Sequence, residues 1–140
     1  MEITANALQT VAANQNVIFT DTVICGNCSI VHREGSGLTT LRGISNTQCR
    51  ARFRVTFGGN VAIPEGGTVG PISLALAING EAVATTTMIS TPAAVEEFNN
   101  VFSSIFLDVP RDCCYQISVR NISEDDIDVQ NANLIVERVA

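Results

Sequence analysis

Apolar and polar residues alternate with a period of two along much of the chain. That spacing sends successive side chains to opposite faces of a β-strand. In "CRARFRVTF" (49–57), Ala51, Phe53, Val55 and Phe57 interleave with Arg50, Arg52 and Arg54, which share one face. "ISLALAING" (72–80) is almost continuously apolar and stops at Asn79-Gly80, the dipeptide that tight hairpins favour, and "EAVATTTMIS" (81–90) runs back from it. "NVFSSIFLDV" (100–109), "YQISVRNIS" (115–123) and "VQNANLIVERV" (129–139) read as further strands, separated by the turns "PRD" and "SEDDID". Shorter strands are expected in "NVIFTDTVI" (16–24), "CSIVHRE" (28–34) and "LTTLRG" (38–43). "TPAAVEEFNN" (91–100) fits one helical turn or a loop. The Gly-rich stretches "REGSG" (33–37) and "GGNVAIPEGGTVG" (58–70) read as connections, and neither precedes a helix, so neither is a phosphate loop. About eight to ten short strands with Gly, Pro and Asn turns predict an all-β sandwich or barrel.

Composition narrows this picture. The length of 140 residues suits one domain with a real core, and 46% apolar content excludes a disordered chain. Only 16% of residues are charged, against about a quarter in ordinary domains. Such a profile fits short strands or a surface covered in an assembly. Net charge is −6, and the single basic cluster, Arg50, Arg52 and Arg54, is too small for a nucleic-acid footprint. All eight basic residues are arginine, which fits charges used at interfaces and equally fits codon usage. "MEITANALQTVAANQN" lacks a basic segment followed by an apolar one, so no classical signal peptide is visible. No run reaches the roughly 18 apolar residues of a membrane helix.

The chemistry-bearing residues are few. Cys25 and Cys28 form a CxxC pair, Cys49 stands alone, and Cys113 and Cys114 are adjacent. Four readings fit them: a structural zinc site, a redox centre, disulfides, or free thiols. The zinc ligands would be Cys25, Cys28, Cys49 and one of Cys113 or Cys114, but the spacing is not that of a ribbon or finger. A redox CxxC opens a helix, and this one lies in a turn between strands. Neighbouring cysteines on a strand point to opposite faces, so Cys113 and Cys114 cannot both serve one partner. All five stand at strand ends, which allows them to gather at one end of a sandwich. The sole histidine, His32, has no assignable nucleophile among Ser29, Ser90, Ser103 and Ser104. Glu96-Glu97 and "EDDID" read as solvated turns, and the latter lacks the Gly and closing Glu of an EF-hand loop. The reading is a non-enzymatic protein with no cofactor.

The order of strands and turns resembles the C1q/TNF-like jelly rolls of bacterial and phage structural proteins, from about residue 16 to the end. The segments that carry it are "SIVHREGSGLTTLRG", "CRARFRVTFGGNVAI", "ISLALAINGEAV", "FLDVPRDCCYQISVRNIS" and "IDVQNANLIVERV". The chain departs from the pattern at Arg111-Asp112-Cys113, where such domains commonly carry Gly-Asp, and it has no collagen-like stalk. The resemblance implies an all-β jelly-roll β-sandwich that assembles as a homotrimer. It implies binding roles: receptor or glycan recognition, surface display, or decoration and fibre tips on a bacteriophage. The expectation is a virion structural protein, a trimeric capsid decoration or head-fibre protein made in the host cytoplasm and displayed on the particle surface. Its partners would be its own copies, the major capsid protein or another virion component, and a host-surface ligand. The alternative is a soluble or surface-displayed carbohydrate- or receptor-binding module. Residues 1–15 are expected to form an attachment or intersubunit segment, and residues 16–140 the jelly roll. Phe53, Phe57, Leu76, Ile78, Phe102 and Phe106 are expected in core or intersubunit packing. Arg50, Arg52 and Arg54 are expected to pair with acidic turns within the trimer or with the capsid shell.

Overall fold

The computed structural model describes all 140 residues, Met1–Ala140. Twelve strands form two antiparallel sheets packed face to face. The first holds the three longest strands, β6 (Arg50–Ala62), β10 (Asn99–Pro110) and β12 (Ile127–Arg138), in the order β10-β6-β12. It continues through β1 (Glu2–Ala5) to β3 (Asp21–Ile24), and β2 (Gln9–Val11) pairs with β12 beyond the end of β1. The second sheet is β4 (Ile30–His32), β5 (Thr39–Arg42), β11 (Cys114–Asn121), β7 (Ile72–Ile78) and β8 (Glu81–Ala82), with β9 (Met88–Ser90) also on β7. The chain crosses repeatedly between the sheets, as jelly-roll connections do.

The inward positions of the alternation make the core. Phe53, Val55 and Phe57 of β6 face Leu74, Leu76, Ile117 and Val119 of the second sheet within one cluster of 27 buried residues. Phe57 meets Phe19 edge-on at 6.3 Å between ring centroids, and Phe19 meets His32 likewise at 6.4 Å. This stack ties an interior strand of one sheet, β6, to the rim strand of the other, β4.

Several expectations change at this level. Residues 1–15, read as an attachment or intersubunit segment preceding the jelly roll, supply β1 and β2 to the sandwich itself. Ile3 and Ala5 are in the core, and the Met1 ammonium donates to the Val136 carbonyl at 2.7 Å. "GGNVA" (58–62), read as part of a connection, extends β6 to its full length, because β10 and β12 pair with it on both sides. Gly59 lies within that strand, where a Cβ would stand 3.2 Å from the Phe57 ring. The segment 91–98 holds no helix.

The return from the Asn79-Gly80 hairpin, whose two residues both have positive φ (52° and 86°), is also interrupted. A 3₁₀ turn at Ala84–Thr86 separates β8 from β9. There the Thr86 hydroxyl accepts from the Leu76 N–H at 2.9 Å and donates to the Val83 carbonyl at 2.6 Å, replacing the missing strand partner. The apolar character of "ISLALAI" on both faces needs no neighbouring subunit. Its outward Ala75 and Ala77 are already fully covered within the chain, and the Arg120 side chain, opposite Ala75, reaches along this face to the Gly80 carbonyl.

Candidate interaction face

On β10 the outward positions of the alternation are Asn100, Phe102, Ser104, Phe106, Asp108 and Pro110, all exposed. A half-buried antiparallel strand usually carries polar residues there. Phe102 and Phe106 break that rule, with 65% and 61% of their surface in water. Register carries the break across the sheet. Phe102 stands opposite Gly58, whose missing side chain leaves open space, and Gly58 stands opposite Asn133. The next row runs Ser104, Thr56, Ile135, Glu2 and Ile24. Ile135 and Ile24 are exposed there as well. Four apolar side chains thus share the outer face of the long-strand sheet without cover from this chain.

Around them most polar groups are paired internally, the exception being Arg50 Nη1, which is buried without a partner. Arg52 donates from Nε to Asp108 Oδ1 at 2.8 Å and from Nη2 to Oδ2 at 3.1 Å. Arg50 Nε lies 3.6 Å from the same carboxylate. Arg54 forms an ion pair with Glu137, its neighbour across β6 and β12. The Ser104 and Thr56 hydroxyls hydrogen-bond at 2.9 Å. Arg50, Arg52 and Arg54 therefore pair with carboxylates on adjoining strands rather than with acidic turns. A face whose charges are already neutralised in plane costs less to dehydrate than one with free ions.

The Asp108 carboxyl is held below the usual carboxylate range, chiefly by the hydrogen bond from Arg52. The charges of Arg52 and Arg50 add to this, and partial desolvation opposes it. A depressed folded value means that the pair stabilises the fold above the ordinary carboxylate pKa of about 4, and that this contribution fades as pH falls through the folded value. Asp108→Asn should therefore melt below the parent at pH 7, and the gap should close as pH falls below the ordinary carboxylate value of about 4. Thermal melts through that fall in pH check this. A gap that stays constant would show that the carboxylate's charge plays no part.

The expected packing residues divide in two. Phe53, Phe57 and Leu76 are buried in the core, and Ile78 packs partly buried against it. Phe102 and Phe106 lie outside. Ile24 and Ile135 belong to the same face and escaped the sequence reading. The only signal for them was an apolar residue at the outward position of a strand, which requires the register to be known.

The other candidate chemistry does not converge. His32 faces inward with Nε2 at 2.9 Å from the Ser36 carbonyl, and Nδ1 is buried without a partner. The Ser29 hydroxyl accepts from Arg138 at 3.0 Å and Ser104 is bonded to Thr56, so neither serves His32. Glu65, Glu124, Asp125 and Asp126 line an open cleft of about 580 Å³ with Ile63 its only hydrophobic residue. Asp128 instead accepts from Thr10 at 2.8 Å. No three His, Cys, Asp or Glu side chains come together to hold a metal ion. Cys25, Cys28, Cys49, Cys113 and Cys114 are all exposed and unpaired.

No family model matches the sequence, and no curated protein matches it. The structure is similar to the solved globular domain of zebrafish complement 1qA protein, with a TM-score of 0.62 at 12% identity. The match covers 96% of this chain and 93% of that one. The architecture is thus a C1q/TNF-like jelly-roll β-sandwich along nearly its whole length.

Proposed function

We propose that this chain is a non-enzymatic binding module that works as a homotrimer closed through the outer face of its long-strand sheet. One observation carries the reading: Phe102, Phe106, Ile135 and Ile24 stand exposed on one face whose arginines are already paired. An apolar patch rimmed by polar groups marks an association surface, and the aromatic side chains are those enriched where association energy concentrates. With that face occupied by other copies, recognition of a protein or glycan ligand falls to the loops at the sandwich ends. This agrees with the receptor- and glycan-binding roles that the resemblance implies.

The setting we propose is display on a particle or cell surface. Capsid decoration or a head-fibre position on a virion, against the major capsid protein, is its more specific form. That form is supported by the resemblance of the strand-and-turn segments to phage structural proteins.

The test is the absolute mass in solution, by light scattering after size exclusion in reductant. The expected value is about three times the chain mass of 14.9 kDa. A monomer across the micromolar range would reject the threefold contact and leave a single-copy binding module.

A further inference from the structure

Five exposed thiols are an unusual surface, because free cysteine is among the most buried residue types. Here all five are exposed and none belongs to the 27-residue core. They also share one end of the sandwich, where β6 and β11 begin and β10 and β12 finish. Main-chain bonds stitch this end together. The Arg111 N–H donates to the Cys49 carbonyl at 2.9 Å, Gly43 N–H to the Cys113 carbonyl at 2.8 Å, and Asp112 N–H to the Gly43 carbonyl at 3.0 Å. Gly43 permits this contact, since a Cβ there would lie 2.1 Å from the Pro110 carbonyl oxygen. Arg42 reaches from the end of β5 to the Cys28 carbonyl at 3.3 Å and stands opposite Cys114 in register.

From this end we infer that the Cys113–Cys114 turn is a covalent docking face at which a second copy of this chain is joined through a disulfide. Three arguments support it. Five is odd, so any full oxidation leaves at least one thiol to bond outside the chain. Two of the five candidates for that thiol lie in the turn. Adjacent Cα atoms lie about 3.8 Å apart, shorter than the roughly 4.4–6.8 Å of an ordinary disulfide, so a bond between Cys113 and Cys114 is strained and a partner outside the turn is favoured. The stitched turn keeps both exposed, on a cleft of about 320 Å³ shared with Arg42, Arg111 and Asp112. Finally, the surface is self-complementary. Arg111 and Asp112 are neighbours, so a twofold contact sets the arginine of each copy against the aspartate of the other and brings like cysteines together.

The chemistry is thiol–disulfide exchange with a small-molecule disulfide such as oxidised glutathione as oxidant. A Cys thiolate attacks one sulfur of that disulfide, forming a mixed disulfide and releasing one small thiolate. The thiolate of the second copy then attacks the protein sulfur, forming the interchain S–S bond and releasing the second small thiolate. Two protein thiols lose two protons and two electrons, and one small disulfide becomes two thiols.

The full chain would be equilibrated with oxidised and reduced glutathione, quenched with an alkylating reagent and run denatured without reductant. The expected result is a dimer band that reductant abolishes, with peptide mass mapping placing Cys113 or Cys114 against its own copy. The variant Cys113→Ser/Cys114→Ser should lose the band, and Cys25→Ser/Cys28→Ser should keep it. All four positions are exposed, and circular dichroism checks that both variants fold. The inference is overturned by monomer alone, whether its thiols are free, glutathione-capped or closed within the chain. It is equally overturned by a crosslink that survives in the first variant or disappears in the second. The mass of the reduced protein tests the threefold contact separately, so either reading can fail without the other.

Discussion

Replacing Phe102 and Phe106 together by serine is expected to convert the proposed trimer into folded monomers. Both rings point away from the core on β10, so their removal opens no cavity and leaves Val101, Leu107 and Val109 packed where they were. Each ring keeps about 130 Å² in water, worth about 3 kcal/mol when covered at ~25 cal/mol per Å². Two rings per chain supply at most about 6 kcal/mol, roughly four orders of magnitude in affinity. The variant should therefore elute as a monomer at micromolar concentration, with the parent's far-ultraviolet circular dichroism. A variant that retained the parent's mass over that range would place the contact elsewhere on the molecule. The arginines bear on the same point. Arg52 and Arg54 are satisfied by Asp108 and Glu137 within one chain, so their exposed pairs would contribute little to the proposed association, which would rest on the rings.

How much of this was legible in the sequence depends on which residues had to find distant partners. The hairpin at Asn79-Gly80 was readable because two adjacent residues set its geometry. The long strands were readable from alternation, but alternation offers two faces without saying which is inward. Phe57 and Phe102 look equivalent in sequence, and only the pairing of Phe102 with Gly58 and of Leu134 with Phe57 separates core from surface. The β1 segment, "EITA", and β2, "QTV", are too short and polar to announce strands. They become strands because β12, more than a hundred residues away, presents a free edge. Gly58 and Gly59 looked like a turn because glycine is depleted in strands, yet tertiary pairing overrode that preference. The arginine partners were hidden for the same reason: Asp108 reaches Arg52 only through the antiparallel register of β10 on β6. The thiol end was half visible, since all five cysteines stand at strand ends. The clamp of the β10–β11 turn onto Gly43 depends on a contact between residues far apart in the chain.

Phe57→Ala is expected to destabilise the fold by about 3–5 kcal/mol, the range for deleting a buried ring. Phe57 has no exposed surface and sits on β6, paired on both sides, between Ser103 of β10 and Leu134 of β12. Its edge-on contact with Phe19 accounts for about 1 kcal/mol of that beyond simple burial. The hole cannot collapse easily, because the backbone on both sides is locked in the two ladders that β6 makes. For a chain of this length the loss corresponds to roughly 10–15 °C in Tm. Phe57→Leu retains most of the volume and should cost less than about 1.5 kcal/mol. Melting depends on protomer concentration in an oligomer, so parent and variants must be compared at one concentration and in reductant. The ratio between the two substitutions is the diagnostic. A large loss for alanine with a small one for leucine identifies a tightly packed site joining the two sheets. Equal, small losses would mean that Phe57 does not bridge them, and would overturn the inter-sheet packing on which the outward direction of Phe102 and Phe106 depends. The core and the proposed association face are alternate positions of the same paired strands, so a test of one is a test of the register that defines the other.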